Sequence, residues 1–172
     1  MNTQPAPTGT ESAAQGGTMQ ADELARALGT QARSAAHADV YATLIVDYPP
    51  GRVALCVTDL AEGRLMAAAA KSADSGIELD RIDYYLSRYS KATLDRAADL
   101  LVASAPAGTL TDFPVYGFGP AQDYGGMLIT TSAAGVDSAA LRAELTRLLG
   151  DMPFILAPGA PAVPAVATAA GE

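Results

Sequence analysis

Two passages of this chain follow one pattern, and the spacing of that pattern decides what the chain can fold into. In the first, Val40 to Asp47 and Arg52 to Thr58 are short runs of apolar and β-branched residues on either side of Tyr48-Pro49-Pro50-Gly51. A turn cluster between two such runs predicts a β-hairpin. A helical stretch follows from Asp59. Then comes a run from Ile82 to Tyr89, with Ile82, Tyr84 and Leu86 alternating against Asp83, Tyr85 and Ser87. The second passage repeats the order: Phe113 to Phe118, a Gly-rich turn through 119–126, Met127 to Ser132, a helix, and Pro153 to Ala157. Two copies cannot build a stacked array, so the pattern predicts a pair of lobes and not a solenoid. The fold class is therefore α+β. It is a duplicated ββαβ unit giving two small antiparallel or mixed sheets, with helices on one face and a linking helix between them.

The helices carry their own punctuation. Asp59-Leu60-Ala61-Glu62 has the form of a capping box, and Leu65, Met66, Ala69, Ala70 and Ala73 make an apolar stripe that ends near Gly76. Ser90 caps the linking helix, 91–105, whose stripe is Leu94, Ala97, Ala98 and Leu101 before Pro106-Ala107-Gly108 breaks it. In the last helix Leu141, Leu145, Leu148 and Leu149 share a face, with Gly150 at the stop. These elements predict a single α+β domain over 38–158, with one lobe at 40–90 and the other at 112–158. Residues 1–19 have the Thr/Pro/Gly/Ser/Gln composition of a disordered tail. Residues 20–37 predict a weak helix with Leu24, Ala27, Leu28 and Ala35 at roughly helical spacing, interrupted by Gly29 and docking loosely, if at all. Residues 159–172 repeat Ala, Pro and Val, which favours an extended, disordered tail.

Charge and composition exclude whole classes of function. Eleven Lys and Arg against 19 Asp and Glu leave a net charge of -8, which removes the concentrated basic face that nucleic acid or an anionic membrane surface requires. With 6% aromatic residues and no Trp, small aliphatic side chains must fill much of the core. No apolar stretch has the length of a signal-peptide core within the first twenty residues, and none reaches the roughly 18–20 residues of a membrane span. Read as it stands, the chain is cytoplasmic, or secreted if a signal peptide has been removed.

Candidate chemistry is sparse. The one cysteine, Cys56, allows no internal disulfide, and the run Val53 to Val57 predicts a packed core thiol. The one histidine, His37, belongs at the solvated end of the first helix, far along the chain from Cys56 and in a different element, so a Cys–His or Ser–His–Asp mechanism has little to work with. Asp74-Ser75-Gly76 reads as a helix C-terminus and Gly117-Phe118-Gly119 as a bulge and turn, since neither has the context of a nucleophile or phosphate motif. The carboxylates fall at caps, turns and helix faces. No catalytic residue, metal ligand or cofactor is expected. Tyr84, Tyr85, Tyr89, Tyr116 and Tyr124 lie in or beside strands, where tyrosine serves packing and binding alike. Two classes remain: a protein-binding module, or a small enzyme or ligand-binding domain of uncharacterised type.

The order of elements joins several local strings to resemble one family. Leu44-Ile45-Val46-Asp47 with Gly51-Arg52-Val53-Ala54-Leu55, Tyr89-Ser90-Lys91-Ala92-Thr93-Leu94-Asp95, and Val115-Tyr116-Gly117-Phe118-Gly119 resemble the pro-regions of secreted bacterial serine proteases of the α-lytic protease and streptogrisin type, over about residues 40–158. The second hairpin departs from that family in its turn, Gln122-Asp123-Tyr124-Gly125-Gly126, where a tighter turn with a basic residue is usual. The resemblance implies two small lobes that bind a protease through a sheet edge, assist its folding and inhibit it, with a C-terminal segment near the active site. On that footing this chain is a free-standing relative whose partner is a serine protease or another protein. The residues expected to meet it are Phe113, Val115, Tyr116, Phe118, Phe154, Leu156 and Pro158.

Overall fold

The computed structural model describes residues 9–48 and 50–161, and it is an α+β chain with one three-stranded and one four-stranded mixed sheet. Backbone contacts divide the chain into two compact units between Asp95 and Arg96, where the sequence predicts two lobes of one domain.

The first unit opens with α1 (Gly9–Ala32), followed by β1 (Tyr41–Asp47), β2 (Arg52–Val57), α2 (Leu60–Ala73), a short 3₁₀ turn (Leu79–Arg81) and β3 (Ile82–Leu86). Helix α1 overturns two expectations: it begins inside the stretch predicted to be disordered, and it does not dock loosely. Ala21, Leu24, Leu28 and Ala32 fall three or four residues apart, so they share one face, and all four are buried in the core with β2 and α2. The helix passes through Gly29 unbroken, because a single interior glycine costs only about 1 kcal/mol against such burial. It ends before Ala35. The Tyr48 hydroxyl donates to the Asp22 carboxylate and ties the hairpin tip to α1. Residues 1–8 and 162–172, the outer parts of the two predicted tails, lie outside the described residues.

Asp59 caps α2 as the sequence predicts, its Oδ1 accepting from the Ala61 and Glu62 amides at 2.8 and 3.1 Å. The buried stripe is Gly63, Met66, Ala67 and Ala70, while Leu65 is exposed, so the helix is turned by one position from the predicted stripe. Helix α3 (Lys91–Ser104) is the linking helix, with the Thr93 amide donating to Ser90 Oγ at 3.1 Å and Leu94, Ala97 and Leu101 buried.

The second unit contains β4 (Thr109–Leu110), β5 (Phe113–Pro120), β6 (Met127–Thr131), α4 (Ala133–Val136), α5 (Ala139–Leu149) and β7 (Phe154–Pro158). Its core holds Met127, Ile129, Leu141 and Leu145, all fully buried. Strand β4 is an addition to the predicted set. It pairs with β5 across Thr111 and Asp112, both with positive φ, as a two-residue hairpin turn of the primed kind demands.

The two units repeat each other in register. In each, the middle strand runs antiparallel to the strand before it and parallel to the strand after it: β1-β2-β3 and β5-β6-β7. Each hairpin carries one register shift, between Tyr41 and Thr43 in β1 and between Val115 and Gly117 in β5. The same spacing along the chain separates Tyr41 from Val115, Val53 from Met127 and Val57 from Thr131. The helix that follows then presses a glycine onto the end of the middle strand. A Cβ on Gly63 would lie 2.8 Å from Val57 Cγ2, and one on Gly135 would collide with Thr131 Oγ1.

Candidate functional site

In each unit the helices cover one sheet face, and among the described residues no helix of that unit covers the other. Strand alternation then sorts every candidate residue by face. In the second sheet Met127, Ile129 and Thr131 are fully buried, so their register partners point the same way: Phe154 beside Met127, Phe118 and Leu156 beside Ile129, Val115 and Pro158 beside Thr131. Of the seven residues expected to meet a partner, these five belong to the core-facing rows, and Leu156 is only 7% exposed. Phe113 pairs with Leu110 at the β4–β5 turn. Tyr116 is the bulged residue, and its ring lies on the side of Thr130 and Gly159. The seven are therefore not gathered on one surface. The helix-free face instead presents Gly117, Gly119, Leu128, Thr130, Ile155 and Ala157, with Ile155 58% exposed. The signal that finds Leu128 and Ile155 is the alternation itself: in Met127-Leu128-Ile129 and Phe154-Ile155-Leu156 the middle residue faces away from its neighbours.

The edge of β7 matters as much as its faces. The Met127 amide donates to the Pro153 carbonyl at 3.0 Å and the Gly159 amide donates to the Thr131 carbonyl at 2.8 Å. Those bonds fix the phase of the parallel ladder, so the backbone groups of Ile155 and Ala157 point to β6 and those of Phe154, Leu156 and Pro158 point outward. β7 is the last strand of its sheet. It offers two amide donors along that edge, because Pro158 has none.

The helix-free face of the first sheet is more polar. Arg52 holds Asp83 in a two-pronged ion pair, Nε to Oδ2 at 2.7 Å and Nη2 to Oδ1 at 2.6 Å. The hydrogen bonds from Arg52 hold the Asp83 carboxyl below the usual range and raise the guanidinium in turn. Beside the pair stand Thr43, Ile45, Ala54, Cys56 and Tyr85. Cys56 is not the core thiol that the apolar run predicts: Val53, Leu55 and Val57 point inward, and alternation sends Cys56 to the other face, where it is half-buried. Partial burial pushes the thiol pKa up, since a thiolate is poorly solvated there. A disulfide-exchange reagent should label native Cys56 roughly ten times more slowly than in denaturant, yet without waiting for unfolding. Labelling confined to the unfolded fraction would put Cys56 back in the core.

His37 lies in the turns after α1, half-buried, with Nδ1 buried and without a hydrogen-bond partner, so it is not the solvated side chain that its sequence position suggests. Among the described residues no group of three or more His, Cys, Asp or Glu could hold a metal ion, and no helix is long and apolar enough to cross a membrane. A shallow cleft of about 200 Å³ lies between α1 and α2, lined by Arg26, Gln31 and Asp74 among others. A wider, more open one of about 400 Å³ lies at the β5–β6 turn against Ala121, Gln122, Asp123 and Ile155. Neither encloses a ligand as a small-molecule site does. No protein-family model matches the chain, and no curated protein matches it in sequence.

Proposed function

We propose that this chain is a non-catalytic protein-binding module of the protease pro-region kind, and that it takes its partner along the edge of β7. The observation that carries this reading is the outward row of backbone groups on Phe154, Leu156 and Pro158 at the end of a mixed sheet. An extended strand of a partner adds to such an edge through main-chain hydrogen bonds, and side chains on the flanking faces then set its preference. Ile155 and Leu128 supply the apolar contact on the helix-free side, in place of the core-facing Leu156 and Phe118. The partner class is a secreted-type serine protease, whose sheet and substrate cleft both accept extended chain.

Titrating the full chain, and a chain ending at Pro158, against a streptogrisin-type protease tests this. Inhibition or binding at or below roughly tens of micromolar by both supports the edge. Loss of it on truncation moves the contact to the residues after Pro158. No binding by either removes the protease reading.

A further inference from the structure

We propose that β3, the open edge of the first unit, pairs with β3 of a second copy of this chain to form an antiparallel dimer with one continuous six-stranded sheet. This does not rest on the protease reading, which concerns the other unit.

An exposed strand edge is a template for another strand, and proteins usually blunt it with a bulge, a proline or a lysine. The other edges here carry such devices. β1 has the register shift at its start and packs against α1; β5 pairs with β4 only at Phe113 and Pro114, and beyond that it has a register shift and ends in Pro120; β7 ends in Pro158, which leaves two outward donors for an unlike strand but opposes pairing with a second β7. β3, Ile82-Asp83-Tyr84-Tyr85-Leu86, has none of these devices and pairs with β2 without a register shift. Its one charge, Asp83, is already neutralised by Arg52 on the neighbouring strand. Tyr85 and Leu86 stand 56% and 69% exposed, although both are large and largely apolar.

The occupant follows from the phase of the ladder. The Ser87 amide donates to the Val57 carbonyl at 2.8 Å, so Asp83 and Tyr85 point their backbone groups at β2 and Ile82, Tyr84 and Leu86 point theirs outward. The Ile82 amide is occupied by the Leu79 carbonyl, which leaves Tyr84 and Leu86 as the outward donors. Antiparallel pairing about Tyr84 uses both: Tyr84 exchanges both bonds with its counterpart, and each Leu86 amide donates to the Ile82 carbonyl of the other copy. In that register Ile82 faces Leu86, Asp83 faces the phenol-bearing Tyr85, and no two like charges are opposed. The edge is thus complementary to itself, as a two-fold interface requires. β7 fails the same test, because Pro158 would press its ring against the carbonyl of Phe154 in the other copy.

Sedimentation of the full chain from roughly 5 to 500 µM should show a monomer–dimer equilibrium in the range of weak association. Amide exchange at Tyr84 and Leu86 should slow as concentration rises. Leu86→Pro puts in the first unit the residue that Pro158 occupies in the second, and it should remain folded and monomeric. If that variant does not fold, Leu86→Lys makes the same demand through edge charge. A wild-type chain monomeric at about 500 µM, a dimer whose protection falls elsewhere, or a folded Leu86 variant that dimerises as the wild type does would each overturn the proposal.

Discussion

Truncating either of two α1 side chains, Leu24→Ala or Leu28→Ala, is expected to destabilise the first unit by about 2–5 kcal/mol, the cost of emptying a packed aliphatic site. Both side chains are essentially sealed from solvent and touch the same core as Leu55 and Met66. Glu23→Ala, on the exposed side of the same helix, should stay within about 0.5 kcal/mol. Denaturant melts of the three variants settle the comparison. A chain that starts at residue 38 removes the whole α1 face at once and should leave the first sheet without a stable fold. If that shortened chain melts as the full chain does, α1 is not part of the core.

The second large effect is expected at Gly126→Ala, which should cost about 1–3 kcal/mol through overpacking. Gly126 is buried at the start of β6, and a Cβ there would run into the Pro153 carbonyl oxygen, a backbone atom that cannot swing aside. That same carbonyl accepts the Met127 amide and anchors the β6–β7 ladder. Gly119→Ala is the control, because a Cβ at Gly119 meets nothing within 4 Å. Equal stability of the two variants would mean that β7 does not approach β6 at this point.

These positions also mark what the sequence could and could not disclose. The hairpins, the Asp59 and Ser90 caps and the Gly150 stop were legible because each is a local signal: a turn cluster, a side-chain oxygen before a helix, a residue that tolerates positive φ. The docking of α1 was not. Leu24 and Leu28 were visible, but Ala21 and Ala32 complete the stripe, and alanine is silent as to burial until a partner surface is known. β4 was hidden because Thr111-Asp112 lacks the Asn-Gly or Asp-Gly signature of its turn. The candidate site was least legible. Apolar runs such as Val53 to Val57 and Phe154 to Pro158 look uniformly buried when read for hydrophobicity alone. The pleat divides them, sending Cys56 and Ile155 one way and Leu55 and Leu156 the other. Hydrogen-bond phase along an edge, on which both proposed contacts depend, has no counterpart in residue type except at proline.

Helix α3 places the two units under a common constraint. It is one unbroken helix, Lys91–Ser104, yet the division between the units falls inside it, between Asp95 and Arg96. Its N-terminal cap, Ser90, belongs to the first unit, and the buried Leu101 belongs to the second. Neither the part before the division nor the part after it reaches the roughly 12 residues below which a lone helix in water is marginal. A strand exchanged between the repeats would respect their register. A cut at their boundary would leave each half with a helical stub too short to hold its shape alone.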